Sequence, residues 1–371
     1  MKKILDLSAL FMGAALLLGG CAANEPAPST DVQNGYLVSF RMNTRPSTRS
    51  ASPSFEERIL PESLHGALVD NDGLLATFAF IEVSDPGNEG SASRDILARM
   101  IPFRPNMTLA QLQARKPRLM IVANTPGMVT GYFNDDIGNP TVGIGSLRFS
   151  FRGIPDDNFR AIPMWGASTV DLSGLRNAET LDLGSIDLLR AMAKIEIALS
   201  DDPAVQHILK NVRLKSLTIN GGNSRGFVTP ANWNKTANTA GINFENALRA
   251  PRNSRFDGAD TYYADPEGKS VTVYIPEYDN PDLQVGNAPY KNRGEIWLEL
   301  AFTTLSGEKS GEIRFCPYGT DGKPLSGARL WDIVRNHNYR YELTSLDDSD
   351  FKFRVKIEDM KKGGDWYYEY D

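Results

Sequence analysis

The amino-acid sequence predicts a mostly-β protein whose sheets are largely antiparallel. Short runs rich in β-branched and aromatic residues recur along the 371-residue chain, and glycine, proline, asparagine or aspartate bounds them. Helical patterns are few, and the regular strand–helix–strand alternation of a parallel sheet is missing. The length is more than one hydrophobic core usually serves, so we expect about two domains.

The predicted strands are spread over the whole chain. The first run, residues 36–42, places Tyr36, Val38, Phe40 and Met42 at alternate positions, with Leu37 breaking a clean apolar–polar alternation. Ten further runs and a C-terminal one are predicted at 76–83, 99–103, 119–123, 147–151, 194–199, 214–219, 271–275, 295–302, 312–315, 339–343 and 351–357.

Three short helices are predicted between these strands. Residues 108–115 begin at Thr108, a good N-cap, and stop before Pro117. Residues 202–210 and 185–193 have helix-compatible patterns. A run of turns near 175–192 separates two strand-rich halves, which places the domain boundary between 36–190 and 191–371.

The N-terminus has the pattern of a secretory signal. Lys2 and Lys3 precede an apolar stretch, and Gly19 and Gly20 lead directly to Cys21. The apolar stretch is shorter than the roughly 20 residues of a spanning helix. We therefore expect residues 1–20 to be a lipoprotein signal peptide, Cys21 to be acylated, and the polar, proline-containing residues 21–35 to form a flexible tether.

Composition and motifs give little support to catalysis or to cofactor and metal binding. A net charge of −6 without a basic, aromatic-interleaved run argues against nucleic-acid binding. If Cys21 is acylated, no intrachain disulfide is possible, and we interpret Cys316 as a small buried hydrophobe. The three histidines lack metal-ligand spacing, and no acidic cluster has the EF-hand pattern.

One motif of hydrolases occurs, around Ser224. Residues 222–226 read G-x-S-x-G, but a nucleophile elbow needs a helix after it, and an extended, proline-stopped segment follows here. Asn220, Gly221 and Gly222 are instead typical of a hairpin turn with positive φ. We expect no hydrolase chemistry at Ser224.

Several segments together resemble the fimbrillin family, the subunits of type V pili and their relatives in anaerobic Gram-negative bacteria. They are the box ending at Cys21, the step 48–50, and the segments 119–124 (LMIVAN), 161–166 (AIPMWG), 189–196 (LRAMAKIE), 273–278 (VYIPEY) and 335–341 (RNHNYRY). The resemblance implies two β-sandwich-like (transthyretin-like) domains, no enzyme activity and no cofactor. It also implies export as a lipoprotein to the outer membrane, assembly with other pilus subunits by donor-strand exchange, and a role in adhesion to a host or bacterial surface ligand.

The same resemblance assigns roles near the N-terminus. In stalk subunits of the family, an arginine-specific protease cuts after a loop arginine and frees the first strand. Here Arg49–Ser50 is the best candidate bond, since Arg45 is followed by Pro46. The residues Tyr36, Val38, Phe40 and Met42 then belong to a displaceable strand. Stalk, tip and anchor roles remain open.

An alternative interpretation comes from another functional class. A surface lipoprotein could bind or cleave glycans on a β-sandwich scaffold, which exposed aromatic side chains near an acid pair would favour. The C-terminal run 351–357 alternates apolar and basic residues and fits either a donor strand or the last strand of a sheet.

Overall fold

Strands dominate the part of the chain that the structure describes. The computed structural model describes residues 35–44, 54–70, 73–84, 93–103, 107–125, 143–156, 159–231, 233, 255–285, 294–319, 321, 323–346 and 351–359. Within these ranges helices are short and strands recur from end to end, so the predicted mostly-β class is confirmed.

The helices are brief and capped by their own sequence. They are α1 (Ser54–Glu57), α2 (Leu109–Gln113) and α3 (Pro203–Leu209), with 3₁₀ turns at Pro61–Ser63 and Gly143–Ser146. Thr108 and Gln111 form a capping box at the start of α2, and the Asp202 carboxylate accepts a hydrogen bond from the Ala204 N–H at the start of α3. Two of the three predicted helices are thereby confirmed. In these ranges no helix is both long and apolar enough to cross a membrane.

The first nine strands build one large sheet and part of a small one. They are β1 (Tyr36–Asn43), β2 (His65–Asp70), β3 (Gly73–Ser84), β4 (Ser93–Pro102), β5 (Arg118–Ala123), β6 (Arg148–Phe149), β7 (Met164–Thr169), β8 (Leu181–Asp187) and β9 (Leu189–Arg190). The eight-stranded sheet has the order β8-β1-β4-β3-β2-β5-β7-β9. All its pairs are antiparallel except β1 with β8, so the chain deviates here from the predicted antiparallel arrangement.

The remaining strands form two four-stranded sheets. They are β10 (Met192–Leu199), β11 (Arg213–Asn220), β12 (Gly226–Phe227), β13 (Ala259–Tyr263), β14 (Ser270–Pro276), β15 (Trp297–Thr304), β16 (Gly307–Arg314), β17 (His337–Leu346) and β18 (Phe351–Asp359). One sheet has the order β14-β10-β17-β18 and the other β13-β11-β15-β16, while β12 pairs with β6. Side chains from both four-stranded sheets share one apolar core, which makes this part a β-sandwich.

Two further clusters cover opposite faces of the eight-stranded sheet. The first contains the buried side chains of β1 together with those of β4 and Leu112 of α2. The second contains Trp165 of β7 and reaches Met192 of β10 and Tyr274 of β14. Because this second cluster draws on strands from both parts, the eight-stranded sheet and the sandwich are packed against each other through apolar side chains.

The helix predicted at 185–193 is wrong. These residues lie in β8, β9 and the start of β10, except for Leu188 and Ala191, which connect the strands. The apolar residues of this segment are all buried: Leu188, Leu189, Ala191, Met192 and Ala193. A continuous apolar run of this kind does not distinguish a buried strand from a buried helix.

The run predicted at 147–151 forms only the two-residue strand β6. The 351–357 run is part of the edge strand β18, which pairs antiparallel with β17 and has one register shift, between Leu343 and Ser345.

Candidate functional site

The first strand presents four large side chains to the core. Tyr36, Val38, Phe40 and Met42 are each at most 3% exposed, and the residues between them face outward. The Phe40 ring meets that of Phe78 edge to face, with the ring centres 6.0 Å apart. Leu37 is half-buried on the outward face, so the break predicted at this position is absent and the alternation is complete.

Strand β1 has hydrogen-bonded neighbours on both sides. All eight of its residues pair antiparallel with β4, from Tyr36 opposite Met100 to Asn43 opposite Ser93. On the other side it pairs parallel with the edge strand β8. Removing β1 would therefore open a slot inside the sheet, with two unpaired strand edges and four empty apolar positions.

The contact with β8 is the weaker of the two. Its register shifts between Ser39 and Arg41, and Gly184 of β8 has a φ of +82°. A cavity of about 470 Å³ lies at this irregularity, between β1 and β8. On the β4 side the Arg41–Asp95 ion pair, at 2.7 Å, is exposed and contributes little to stability. The hydrogen-bonded ladder with β4 is continuous, so β1 is held chiefly by β4 and by its buried side chains.

The chain leaves β1 from a fixed position. The Asn43 carbonyl accepts a hydrogen bond from the Leu188 N–H at 2.8 Å, and the Asn43 amide donates to the Asp187 carboxylate at 2.9 Å. Thr44 is fully buried. The predicted processing residues Arg45, Arg49 and Ser50 follow, in a segment (45–53) outside the described residues, as is Cys21.

Helix α1, which follows this segment, is anchored on the sandwich. The Glu56 carboxylate is fully buried, lies 3.0 Å from the Lys194 ammonium and accepts a 2.7 Å hydrogen bond from the Tyr274 hydroxyl. The Glu56 carbonyl accepts a 2.9 Å hydrogen bond from Arg190 Nε, and the Phe55 ring packs on Tyr274 with 4.9 Å between ring centres. Burial first, and then the Glu56 charge, raise the pKa of Tyr274 far above its usual value. The residues on both sides of 45–53 are thus fixed independently of the peptide bonds between them.

The motif at 335–341 is part of the scaffold. The Arg335 guanidinium is fully buried, pairs with Glu277 at 2.6 Å and donates hydrogen bonds to the carbonyls of Phe227, Val228 and Thr229. This one side chain therefore attaches the segment after the G-x-S-x-G motif to the residues that lead into β17. No sequence signal links Arg335 to Glu277, which lies 58 residues away.

The serine motif does not form a nucleophile elbow. Gly221 and Gly222 have φ values of +77° and +92°, as the turn prediction requires. The turn is not a hairpin, however, because β12, which begins at Gly226, pairs with β6 and not with β11. Since a two-residue strand and no helix follows Ser224, the geometry that activates a serine in α/β-hydrolases is missing at this motif.

Cys316 has the structural role that the sequence predicts. It is fully buried in the core of the sandwich, and burial raises the pKa of its thiol to about 12. A buried, protonated thiol is a poor nucleophile. In the part of the chain described here, no three histidine, cysteine, aspartate or glutamate side chains gather into a group that could hold a metal ion.

Comparison with known proteins identifies the fold. No protein-family model and no curated protein matches the chain. Among solved structures, it is similar to the tip fimbrial protein Mfa3 from Porphyromonas gingivalis, at a TM-score of 0.50 and 16% identity, over 87% of this chain and 99% of that one. A fimbrial assembly protein from Parabacteroides distasonis gives 0.49 and 14%, over 87% and 95%. A fimbrilin from Porphyromonas gingivalis gives 0.43 and 11%, over 88% and 97%.

The match to the tip protein extends over almost the whole of both chains, so the chain has the fold of a fimbrial protein. This confirms the predicted resemblance at the level of the fold. At 16% identity the likeness says nothing about individual functional residues.

Proposed function

We propose that this protein is a structural subunit of a type V-like pilus and joins its neighbours by donor-strand exchange. The observation that carries the proposal is the placement of β1. It is a full interior strand with four buried anchors, and the arginine-bearing segment 45–53 follows it directly.

The physical basis is β-augmentation. An incoming strand that replaced β1 would regain the main-chain hydrogen bonds to β4 and β8. Its alternate apolar side chains would fill the positions of Tyr36, Val38, Phe40 and Met42 and so determine the register. An empty slot would expose apolar surface and strand edges, which promotes aggregation, so release of β1 has to be coupled to arrival of the new strand.

We propose that cleavage between Arg49 and Ser50 controls this exchange. The Asn43–Leu188 hydrogen bond and the buried Glu56–Tyr274 hydrogen bond hold the chain on either side of the cut. A cut protein would therefore stay folded with β1 bound non-covalently, ready for displacement. Arg45 is the secondary candidate because Pro46 follows it.

The proposal includes export as a lipoprotein. Cys21 would carry the lipid, residues 21–35 would connect it to the folded part, and the protein would lie on the outer membrane or in the fimbrium.

The division into domains 36–190 and 191–371 belongs to this proposal as well. It is supported by the sheets, since in the described residues the pairing between β1–β9 and β10–β18 is limited to the small β6–β12 pair and the Gly153–Tyr274 bridge. Other pilus subunits are the expected partners, and an adhesion ligand at the host or bacterial surface is a further one.

The test is the N-terminal sequence of the protein on cells, together with fibre assembly by an Arg45→Ala/Arg49→Ala double variant. We expect surface protein that begins at Ser50 and no fibres from the variant. Arg329→Ala, which changes an arginine on the sandwich that is 74% exposed, is the control and should leave assembly intact. Normal fibres from the double variant would refute cleavage-gated assembly, and surface protein that begins at Cys21 would favour an anchor role.

A further inference from the structure

We infer that the slot of β1 selects a donor strand that carries a basic residue at the position of Arg41, between its third and fourth apolar anchors. The inference rests on the proposed strand exchange and adds to it the chemistry of the partner. That partner is an extended segment in which four alternate apolar side chains face the core and one basic side chain faces outward. Apolar fit decides which face of the segment is buried, and charge decides its direction and register.

Arg41 is held on the outward face of the sheet between two neighbouring strands. It lies opposite Asp95 of β4 and opposite Ser185 of β8. Its guanidinium donates from Nε to Asp95 Oδ1 at 2.7 Å and from Nη2 to Asp95 Oδ2 at 3.2 Å, a two-pronged contact that suits a planar guanidinium. The hydrogen bond and the charge of Asp95, and after them the charge of Asp182, raise the pKa of Arg41. The carboxylates of both neighbouring strands therefore act on this one cation.

A bulge in β8 opens space beside the cation. Between Asp182 and Ser185, which both pair with β1, β8 contains one residue more than β1 does between their partners. Gly184, with a φ of +82°, lies in this stretch, and a Cβ added to it would meet nothing within 4 Å beyond its chain neighbours. The cavity of about 470 Å³ at the bulge is lined by Arg41, Asp95 and Asp182, among others. A long side chain of an incoming strand therefore has room between the two carboxylates.

Departure of β1 removes the positive charge and leaves the negative ones. Arg41 is the only charged residue of β1. Asp95 stays on β4 and Asp182 stays on β8, while Asp187, the other charged residue of β8, lies at the same end of the slot. A carboxylate of an incoming strand would be repelled at this position, and a basic side chain would be attracted.

The charge has the opposite sign at the other end of the outward face. Arg99 of β4 lies there, opposite Leu37 of β1. Arg94, the other arginine of β4, lies opposite Met42, so alternation places it on the face of the buried anchors. The outward face of the slot is thus basic next to Leu37 and acidic next to Arg41.

This polarity supplies information that the apolar anchors lack. The four anchors of β1 recur at every second position, so a strand displaced by two residues, or one running in the opposite direction, would still bury apolar side chains. Either error would move the basic residue away from Asp95, and reversal would place it near Arg99. Charge therefore favours one direction and one register of insertion.

The exposure of the ion pair suits selection of a partner. The side chains of Arg41 and Asp95 are 54% and 43% exposed, so water screens the pair and it adds little to the stability of the resting protein. Exposed charges act instead on an approaching partner, because complementary charges raise the association rate and like charges lower it, both more strongly at low salt. The effect is therefore expected in the rate at which a strand is taken up.

Uptake of variant peptides by the cut protein tests the inference. The protein is cut at a protease recognition site placed within residues 46–52, and uptake of a fluorescent peptide of residues 35–44 is followed by anisotropy at about 20 mM and about 0.5 M NaCl. We expect Arg41→Glu in the peptide to slow uptake about tenfold or more at low salt, and less at high salt. At position 37 the preference should be reversed, with Leu37→Glu taken up faster than Leu37→Lys, because Arg99 lies opposite.

A charge change in the protein tests whether Asp95 makes the selection. Asp95→Lys should make uptake of the Arg41→Glu peptide at least as fast as that of the parent peptide. Glu308→Lys, which makes the same charge change at a site on the sandwich that is 69% exposed, is the matched control and should keep the preference for the parent peptide. The inference would be overturned by equal uptake of the parent and Arg41→Glu peptides at low salt, by the same preferred charge at positions 37 and 41, or by an unchanged preference in Asp95→Lys.

The uncut chain separates this inference from strand exchange. If the cut protein takes up no peptide of any sequence, strand exchange itself fails. The charge preference is then measured in the intact chain, where Arg41→Glu should lower the Tm by about 2 °C or more, because like charges then converge at Asp95 and Asp182, and Asp95→Lys in the same chain should restore most of the loss. Melting temperatures without this coupling would overturn the inference, whatever the outcome for exchange.

Discussion

The Glu56 carboxylate and the Tyr274 hydroxyl are joined by a 2.7 Å hydrogen bond in the buried junction between the eight-stranded sheet and the sandwich. Glu56 also pairs with Lys194, and both charged side chains are at most 4% exposed. Lys194 and Tyr274, which are 138 and 218 positions away from Glu56 in the sequence, thus hold helix α1 in place where the segment 45–53 ends. The junction explains how cleavage in that segment can leave both parts in place.

Replacement of the buried carboxylate should destabilise the protein strongly. We expect Glu56→Gln to lower the free energy of unfolding by about 3–5 kcal/mol, because it leaves the Lys194 ammonium buried with only Glu196, 3.5 Å away, as an acidic partner. Urea denaturation followed by tryptophan fluorescence measures the change. The matched control is Glu308→Gln, which breaks the exposed Lys215–Glu308 pair and should change stability by less than about 1 kcal/mol. Equal effects of the two variants would contradict a structural role for the buried pair.

The alternation along β1 makes a second prediction. Phe40→Ala removes a fully packed ring and should destabilise by about 3–5 kcal/mol, whereas Ser39→Ala, on the outward face, should change stability by less than about 0.5 kcal/mol. Chemical denaturation of both variants measures this contrast. If Ser39→Ala proved as damaging as Phe40→Ala, the register of β1 would be wrong.

Cys316 should be inert in the folded protein. Because the thiol is buried and its pKa is raised to about 12, we expect no alkylation by iodoacetamide at pH 8 without denaturant and complete alkylation in 6 M guanidinium. The raised pKa also contributes stability that is fully present below the unfolded thiol's pKa, about 8.5, and is lost as the pH rises toward 12. Rapid labelling under native conditions would show that the core around Cys316 opens.

Cys21 should carry the lipid. We expect cells fed labelled palmitate to label the wild-type chain before the cut at Arg49 and its N-terminal fragment after the cut, and not Cys21→Ala, because the acylated cysteine directly follows the signal sequence. Cys316→Ala is the matched control and should keep the label. Label retained by Cys21→Ala at the wild-type level would refute the lipoprotein prediction.

Local sequence patterns predicted much of this fold, and the misses have physical causes. The helix after Thr108 was predictable because its capping box is encoded within four residues. Strand β7 was not predicted, since Gly166, Ala167 and Ser168 have low strand propensity. The fold needs glycine at 166 because a Cβ there would lie 2.6 Å from the Asp187 carbonyl. Such close approaches depend on tertiary packing.

The candidate sites also include one that the local sequence predicts and others that it does not. The four anchors of β1 followed from alternation within one segment. The Glu56 junction and the Arg335–Glu277 pair did not, because their members come from distant parts of the chain and meet only in the folded protein. The parallel pairing of β1 with β8 was equally invisible, since nothing local distinguishes a parallel from an antiparallel neighbour of one strand.

Exchange of β1 in purified protein tests the central claim most directly. A recognition site for a sequence-specific protease is placed within residues 46–52, the protein is cut, and a fluorescent peptide with the sequence of residues 35–44 is added. We predict that anisotropy rises for the cut protein as the peptide replaces β1, that it stays flat for the uncut protein, and that a peptide with Phe40→Asp is not taken up. No uptake of the parent peptide by the cut protein, or equal uptake by cut and uncut protein, would contradict the account.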